Sequence, residues 1–459
     1  MKHFAIIIIS FFLLSSFSIS KVWEVPGDCS TIQAALDSCQ TGDTVRVAKG
    51  IYYENIIWPN TQSICLIGEN NTGYPIIDGG KISRVIDITA EVDRTTIIKG
   101  FIIRNGVGYE IVGAGIRCGR NSSPTITGNI IRDNVAMIPG NVGGGGIFCD
   151  SAASPLIIEN IIFNNIATWG TFFSDGGGIA CDRYSEPEII GNAIMGNRAN
   201  GLGGGIICLE SSALIKDNII FKNGHVLVGG GGIACLLVSS STIITGNTIS
   251  ENEVLIGSLE IGGGGVLCLD ASPTITYNII SDNTSNNGAG IFCKDGSNPV
   301  INYNNIYNNN GYGLKNADST LIIDAEYNWW GDASGPSGVG PGTGDSVSQW
   351  VDYEPWLEGV SEIEERLFNA IPKDYVVYQN FPNPFNPKTS IRFDIPELTF
   401  ITIKIYDLLG NEIETLVNEE KPAGTYEITW YAEGLPSGVY FYRLQAGDFV
   451  ETKKMVLLK

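Results

Sequence analysis

Just after a recurring cysteine, most repeats of this chain carry an acid: Asp150, Asp182, Glu210, Asp270 and Asp295, with Leu236 and Leu237 interrupting the series. Carboxylates stacked about 5 Å apart could hold Ca²⁺ through oxygen ligands, and they would raise one another's pKa values. Asp150, Asp182 and Glu210 are the metal candidates. Two carboxylates about 5 to 9 Å apart also suit glycoside hydrolysis, and Asp150 with Asp182 on neighbouring repeats could supply them. Arg183 and Lys294 lie beside the acids, so Asp150, Asp182, Arg183, Lys294 and Asp295 are the residues that could carry catalysis. Asp is equally a favoured turn residue. Turn chemistry, a calcium site without catalysis and a catalytic centre therefore all stand open.

Other chemistries are excluded. Beyond Ser20 the chain's only histidine is His225, in the loop stretch Asn223-Gly224-His225, which removes His-dependent triads and His-rich zinc sites. One such His and four methionines also suit copper poorly. The formal charge of −21, scattered rather than blocked, argues against nucleic acid or an anionic membrane as partner and suits divalent cations. A second group of candidates is aromatic: Trp169, Phe172 and Phe173 could stack on sugar rings, or fold back with neighbouring loops.

The elements that must position these residues are repeats. Cys118, Cys149, Cys181, Cys208, Cys235, Cys268 and Cys293 recur at one place in a unit of 25 to 33 residues. The unit runs through a glycine tract, Ile-x-Cys (Val-x-Cys at Cys268), a polar turn and an Asn-x-x-x-x-Asn pair, as in GGGGIFCDSAASPLIIENIIFNN from Gly143. The pairs run from Asn129 and Asn134 to Asn304 and Asn309. Apolar residues alternate over short stretches rather than at helical spacing, giving three short strands per coil. Periods in this range indicate solenoids, and the absence of an L-x-x-L-x-L frame leaves a parallel β-helix. Stacked coils turn equivalent residues into columns: inward Ile and Cys, and Asn side chains that bond from coil to coil. The seven cysteines are then buried thiols rather than a disulfide framework. Cys29 and Cys39 flank a predicted helix, Thr31 to Ser38, capped by Ser30 or Thr31 and placed over the first coil; its length holds them too far apart to bridge. From ladder Cys to the next Asn the distance is 10 to 12 residues, whereas from the second Asn to the next Cys it is 10 to 16, so insertions leave one edge only. Loops on a rigid scaffold commonly carry binding.

The stretch WEVPGDCSTIQAALDSCQTGDTVRVAKGIYYENI from Trp23 resembles the cap and first coil of the pectin-lyase-like β-helix superfamily, and NWWGDASGPSG from Asn328 resembles the way such bacterial proteins close. That resemblance implies a right-handed parallel β-helix over residues 21–357. The superfamily hosts lyases, hydrolases, epimerases, adhesins and non-enzymes, so it does not choose an activity. In its polysaccharide lyases, acids bind Ca²⁺ and an Arg or Lys takes a proton, roles that Arg183 or Lys294 would fill here.

Past residue 357 the composition changes. A charged stretch within 358–377 reads as a linker, and residues 378–459 hold about seven short alternating strands with turn signals, as in an immunoglobulin-like β-sandwich. Asn383-Pro384-Phe385-Asn386-Pro387, IYDLLGNEI from Ile405, GLPSGVYFYRLQAGDF from Gly434 and KKMVLLK from Lys453 closely resemble the type A C-terminal sorting domain of type IX secretion substrates. Gly438, Tyr440, Lys453, Lys454 and Lys459 fall in the matching stretches. The resemblance implies the type IX machinery as partner and delivery across the outer membrane of a Gram-negative cell, to its surface or beyond. Residues 1–20 fit an exported chain: Lys2, an apolar run from Phe4 to Phe17, and the small-x-small Ser18-Ile19-Ser20 form a signal peptide. No other run is long enough to span a membrane. The expected protein is thus all-β and exported, binding a polysaccharide or surface protein without catalysis, with a calcium-dependent lyase or a hydrolase as the alternative.

Overall fold

A strand of three or four residues is too short to stand alone, so each unit must pair with the next. In the computed structural model that pairing is parallel and in register through the repeat region. The structure describes residues 20–69, 73–109, 112–137, 143–168, 174–224, 228–239, 241–254, 261–360, 372, 374–396, 399–421 and 424–458; the expected signal peptide lies almost wholly outside them. Three long sheets run along the solenoid: a first of 13 strands from Val22–Val25 to Val351–Asp352, a second of 10 from Ile51–Tyr53 to Asn305–Tyr307, and a third of 12 that includes every Ile-x-Cys strand. Four coils exceed the expected three strands: Val107–Tyr109, Val135–Met137, Ile166–Ala167 and Arg198–Ala199 form a short sheet beyond the second.

The interior follows the alternation. Ile157 from the first sheet, Ile162 from the second, and Ile147 with Cys149 from the third meet inside one coil, all with no exposure. Each large side chain so buried contributes about 1.5–3 kcal/mol. The strand register stacks Cys149 on Cys118 and Cys181, and all ten cysteines are free thiols. Burial pushes the Cys118 thiol well above its ordinary value, and all seven ladder cysteines have no exposure, so the ladder is closed to reagents.

Both asparagine columns close on themselves. The side-chain oxygen of Asn160 accepts the backbone N–H of Asn129 at 3.0 Å and its amide at 3.1 Å, while the amide of Asn160 donates to Ile126 O at 2.8 Å. The residue before a ladder Asn turns the chain through a left-handed conformation, as at Glu159 (φ 55°) and Asn164 (φ 54°). The columns run one step beyond the seven pairs. Asn304 donates to Asn328 at 3.1 Å, and Asn309 donates to the Asp345 carboxylate at 2.8 Å. Glycine tracts enter the third sheet because nothing larger fits: a Cβ on Gly146 would lie 2.6 Å from Gly178 O, and Gly144 has φ 63°.

The N-terminal coil is covered by a helix, Ile32–Asp37, slightly shorter than expected. Thr31 caps it through Ala34 N at 3.1 Å, and the Glu54 carboxylate accepts from Ile32 N and Gln33 N, each at 2.9 Å. Ile32, Ala35 and Leu36 are buried against the first coil. Burial, followed by the charge of Asp43, pushes the Cys39 thiol up to about 12.

The C-terminal domain has its own core and two antiparallel sheets. One joins Val376–Val377, Lys388–Ile395 and Gly424–Tyr431; the other joins Glu412–Lys421, Thr399–Tyr406, Gly438–Ala446 and Phe449–Leu457. The first strand takes in two residues read above as linker. Among the described residues no helix is long and apolar enough to cross a membrane.

Candidate functional site

The acids that follow the third sheet do not form one column. Asp150 and Asp182 come directly after their strands, donating N–H to Cys118 O and Cys149 O at 2.9 Å. From Cys208 onward the strand is one residue longer, so Leu209 pairs with Leu236 and Leu269 with Lys294. Glu210, Asp270 and Asp295 therefore fall one place later, at φ 47°, 47° and 53°. This is a correction to the single stacked series, and its cause is a one-residue shift in where the strand ends. Lys294 sits in the strand register beneath Leu269 rather than beside an acid of its own row.

Their partners differ as well. Asp150 receives the Arg117 guanidinium at 2.5 Å and the N–H of Ser151 at 2.8 Å. Arg183 pairs with Glu210 at 3.7 Å in an exposed ion pair, which is worth little. Asp182, Asp270 and Asp295 have no side-chain partner among the described residues. Among these residues no three Asp, Glu, His or Cys side chains converge as metal ligands. With Asp150 given to Arg117 and Glu210 to Arg183, the expected calcium set does not fit a common ion as placed.

Sequence reasoning missed a charged cluster on three successive coils. Arg84 reaches Asp87 at 3.1 Å, and Arg117 bridges Asp87 at 3.5 Å and Asp150 at 2.5 Å. Arg84 is 8% exposed; burial depresses its guanidinium from the ordinary value, the Asp87 carboxylate opposing that pull. Two guanidiniums and two carboxylates neutralise one another. The signal lay at the middle of the strand: Ile-Asp-Ile at Asp87 and Ile-Arg-Cys at Arg117, where later coils place an apolar residue.

That middle position faces outward, yet it is buried. Phe148, Ala180, Ile207, Ala234, Leu267 and Phe292 form a second apolar layer outside the third sheet, covered by residues of the insertion edge such as Leu202, Val228 and Ile261. Val254 packs in the same manner against Ala167 and Ala199. The described insertion residues thus fold onto the scaffold. Trp169, Phe172, Phe173 and His225 lie outside the described residues. Exposed aromatics occur elsewhere: Tyr277, Tyr303 and Tyr327 stack along the outer turn at 5.3 and 5.2 Å.

In the C-terminal domain the first and last of the motif stretches meet. Phe385 is buried against Trp430, its N–H donates to Val456 O at 3.0 Å, and Asn383 accepts from Val456 N at 2.9 Å. Tyr440 is a core residue, edge-on to Trp430 with its hydroxyl on Pro436 O at 2.9 Å. Gly438 opens the same strand, Lys453 pairs with Glu451 at 2.8 Å, and Lys454 is exposed. Lys459 lies outside the described residues.

Residues 114–285 and 177–328 match the family described as right handed beta helix region, and residues 379–458 match the secretion system C-terminal sorting domain. The protein is a secreted right-handed β-helix with a type IX sorting domain. No curated protein matches this β-helix chain in sequence. Among solved structures, pectate lyase Pel9A is 11% identical with a TM-score of 0.38, covering 78% of this chain and 84% of its own. A mutant tailspike protein of E. coli bacteriophage HK620, in complex with a pentasaccharide, is 10% identical with a TM-score of 0.34, covering 91% of this chain and 81% of its own. Neither likeness bears on what this β-helix protein binds or does.

Proposed function

We propose that the mature protein is a non-catalytic binding scaffold for a glycan or surface protein, delivered by the type IX machinery of a Gram-negative cell to its outer surface or medium. One observation carries this reading. Of the candidate acids, Asp150 is held by Arg117, which also bridges Asp87, and among the described residues no three Asp, Glu, His or Cys side chains converge on a common point. A carboxylate whose oxygens are already engaged by a guanidinium is not open to a metal ion or to a substrate. The insertion edge, where Trp169, Phe172 and Phe173 fall in the sequence, is where the repeat varies in length, and such places on a rigid frame commonly carry binding.

The charged cluster favours a second reading, a polysaccharide lyase or glycoside hydrolase. Guanidiniums beside an acid could grip a uronate carboxylate, and calcium would enter only if Asp150 left Arg117. The deciding experiment incubates the mature protein with uronate and neutral polysaccharides, with and without Ca²⁺, following unsaturated product and reducing ends. Binding without turnover is expected. Calcium-dependent product that disappears in Asp150→Asn would replace the scaffold reading with the enzyme.

A further inference from the structure

The last coil carries a cleft of about 510 Å³ between the end of the third sheet and the return to the first, lined by Tyr312, Asn316, Ser319, Val339, Gln349 and Trp350 among others. Its size falls within the range of small-ligand sites. No Asp, Glu, Lys, Arg or His lines it, so nothing there would compensate a charged ligand.

Trp350 dominates the cleft. Trp58, Trp330 and Trp430 are buried, whereas Trp350 is 48% exposed, and its indole has no ring contact or hydrogen bond among the described residues. Its backbone adopts φ 65°, a conformation that costs a bulky L-residue of order 1–3 kcal/mol and persists only where the surroundings impose it. The imposing bonds are visible: the Trp350 carbonyl accepts the Asn316 amide at 2.9 Å and Ile323 N at 3.1 Å, while Asn316 also holds Leu321 O at 3.0 Å. The fold therefore keeps a strained turn and presents the indole to solvent. Unlike the stacked tyrosines, whose faces cover one another, this ring offers a free face. Around it, the Gln349 amide and the Ser319 hydroxyl have no partner among the described residues.

We infer that this cleft is a binding site for a neutral oligosaccharide. The C–H face of a pyranose would lie on the Trp350 indole, and its hydroxyls would exchange hydrogen bonds with Gln349 and Ser319. The backbone of the site is preformed, since the Asn316 side chain and the Trp350 carbonyl are held by bonds within the last coil, which keeps the ordering cost of binding to the side chains. The inference rests on the glycan form of the function proposed above and gives it a location away from the insertion edge.

The test is calorimetric titration of the mature full chain with cellotetraose, xylotetraose, maltotetraose, mannotetraose and tetragalacturonate. At least one neutral tetrasaccharide should bind. Trp350→Asn, which suits the left-handed backbone, should weaken binding about tenfold or more with an unchanged melting profile, and Gln349→Ala should weaken it less. Trp169→Ala should leave it intact. Binding that survives Trp350→Asn but is lost in Trp169→Ala would overturn the cleft and leave the glycan reading standing. Binding of tetragalacturonate alone, or of none of the five, would overturn the cleft outright.

Discussion

The β-helix and the sorting domain solve the same problem in opposite ways. In the helix, one pattern repeats: Ile and Cys columns inside, and two ladders of buried Asn, each bonded to the coils above and below. In the sorting domain nothing repeats. Its core is built around unlike aromatics, Trp430, Phe385, Phe393, Tyr440 and Tyr442, and its first motif is fastened to its last strand by Phe385 N to Val456 O. The difference teaches where damage should spread. A solenoid loses neighbours; a sandwich tied end to end loses everything at once.

The largest effect should come from Trp430→Ala. It removes a side chain that is 2% exposed, packs on Phe385 and Tyr440, and donates to Glu414 at 2.9 Å. A loss of about 3–5 kcal/mol is expected, seen as an early calorimetric transition for the sorting domain and failed delivery outside the cell. The β-helix transition should not move, and a joint shift would break the comparison.

Next comes Asn197→Ala. Asn165 would lose the acceptor for its N–H and its amide, both at 3.0 Å, and Ile162 O and Asn223 would lose donors at 2.8 and 3.0 Å. Stranded buried groups should cost about 3 kcal/mol. Hydrogen exchange should rise in the coils on either side while distant coils stay protected; uniform loss of protection would show the helix to be as all-or-none as the sandwich.

Asp345→Asn sharpens the comparison through pH. Burial raises the Asp345 carboxyl from 3.8 to about 6, against hydrogen bonds from Asn309 that favour its charge, with Asp282 adding to the rise. The folded state therefore holds this proton more tightly than the unfolded chain. Stability should fall as pH climbs from about 4 to 6 and level off above, by about 3 kcal/mol in all. The amide keeps an acceptor for Asn309 and has no charge, so the variant should melt higher at neutral pH and lose that slope. The smallest effect is Arg183→Ala, expected within about 0.5 kcal/mol because the pair with Glu210 is exposed.

The solenoid was legible because its signals are multiplied: a Cys or Asn at one position in seven units cannot be read as accident, and every coil must repeat the bonds of the last. The sorting domain was legible through resemblance rather than periodicity. The ends were not. Asn328 and Asp345 continue the two ladders from irregular segments, so no spacing announced them. The acids misled for a related reason, since a strand one residue longer moves its follower into the left-handed turn position. Asp87 and Arg117 escaped notice because each occupies the slot that elsewhere belongs to Phe148 or Leu267, Arg84 stands two residues before its strand, and only three-dimensional stacking brings the three together.

The direction of the inter-coil hydrogen bonds has a mechanical consequence. They run along the solenoid axis, so tension between its two ends would load them in series and open the coils one after another at low force. Force applied across the axis would instead load many strand pairs in shear together. A cell that tethers this protein near its C-terminal end would hold a filament that is stiff to bending flow, yet yields by stepwise lengthening when pulled end to end.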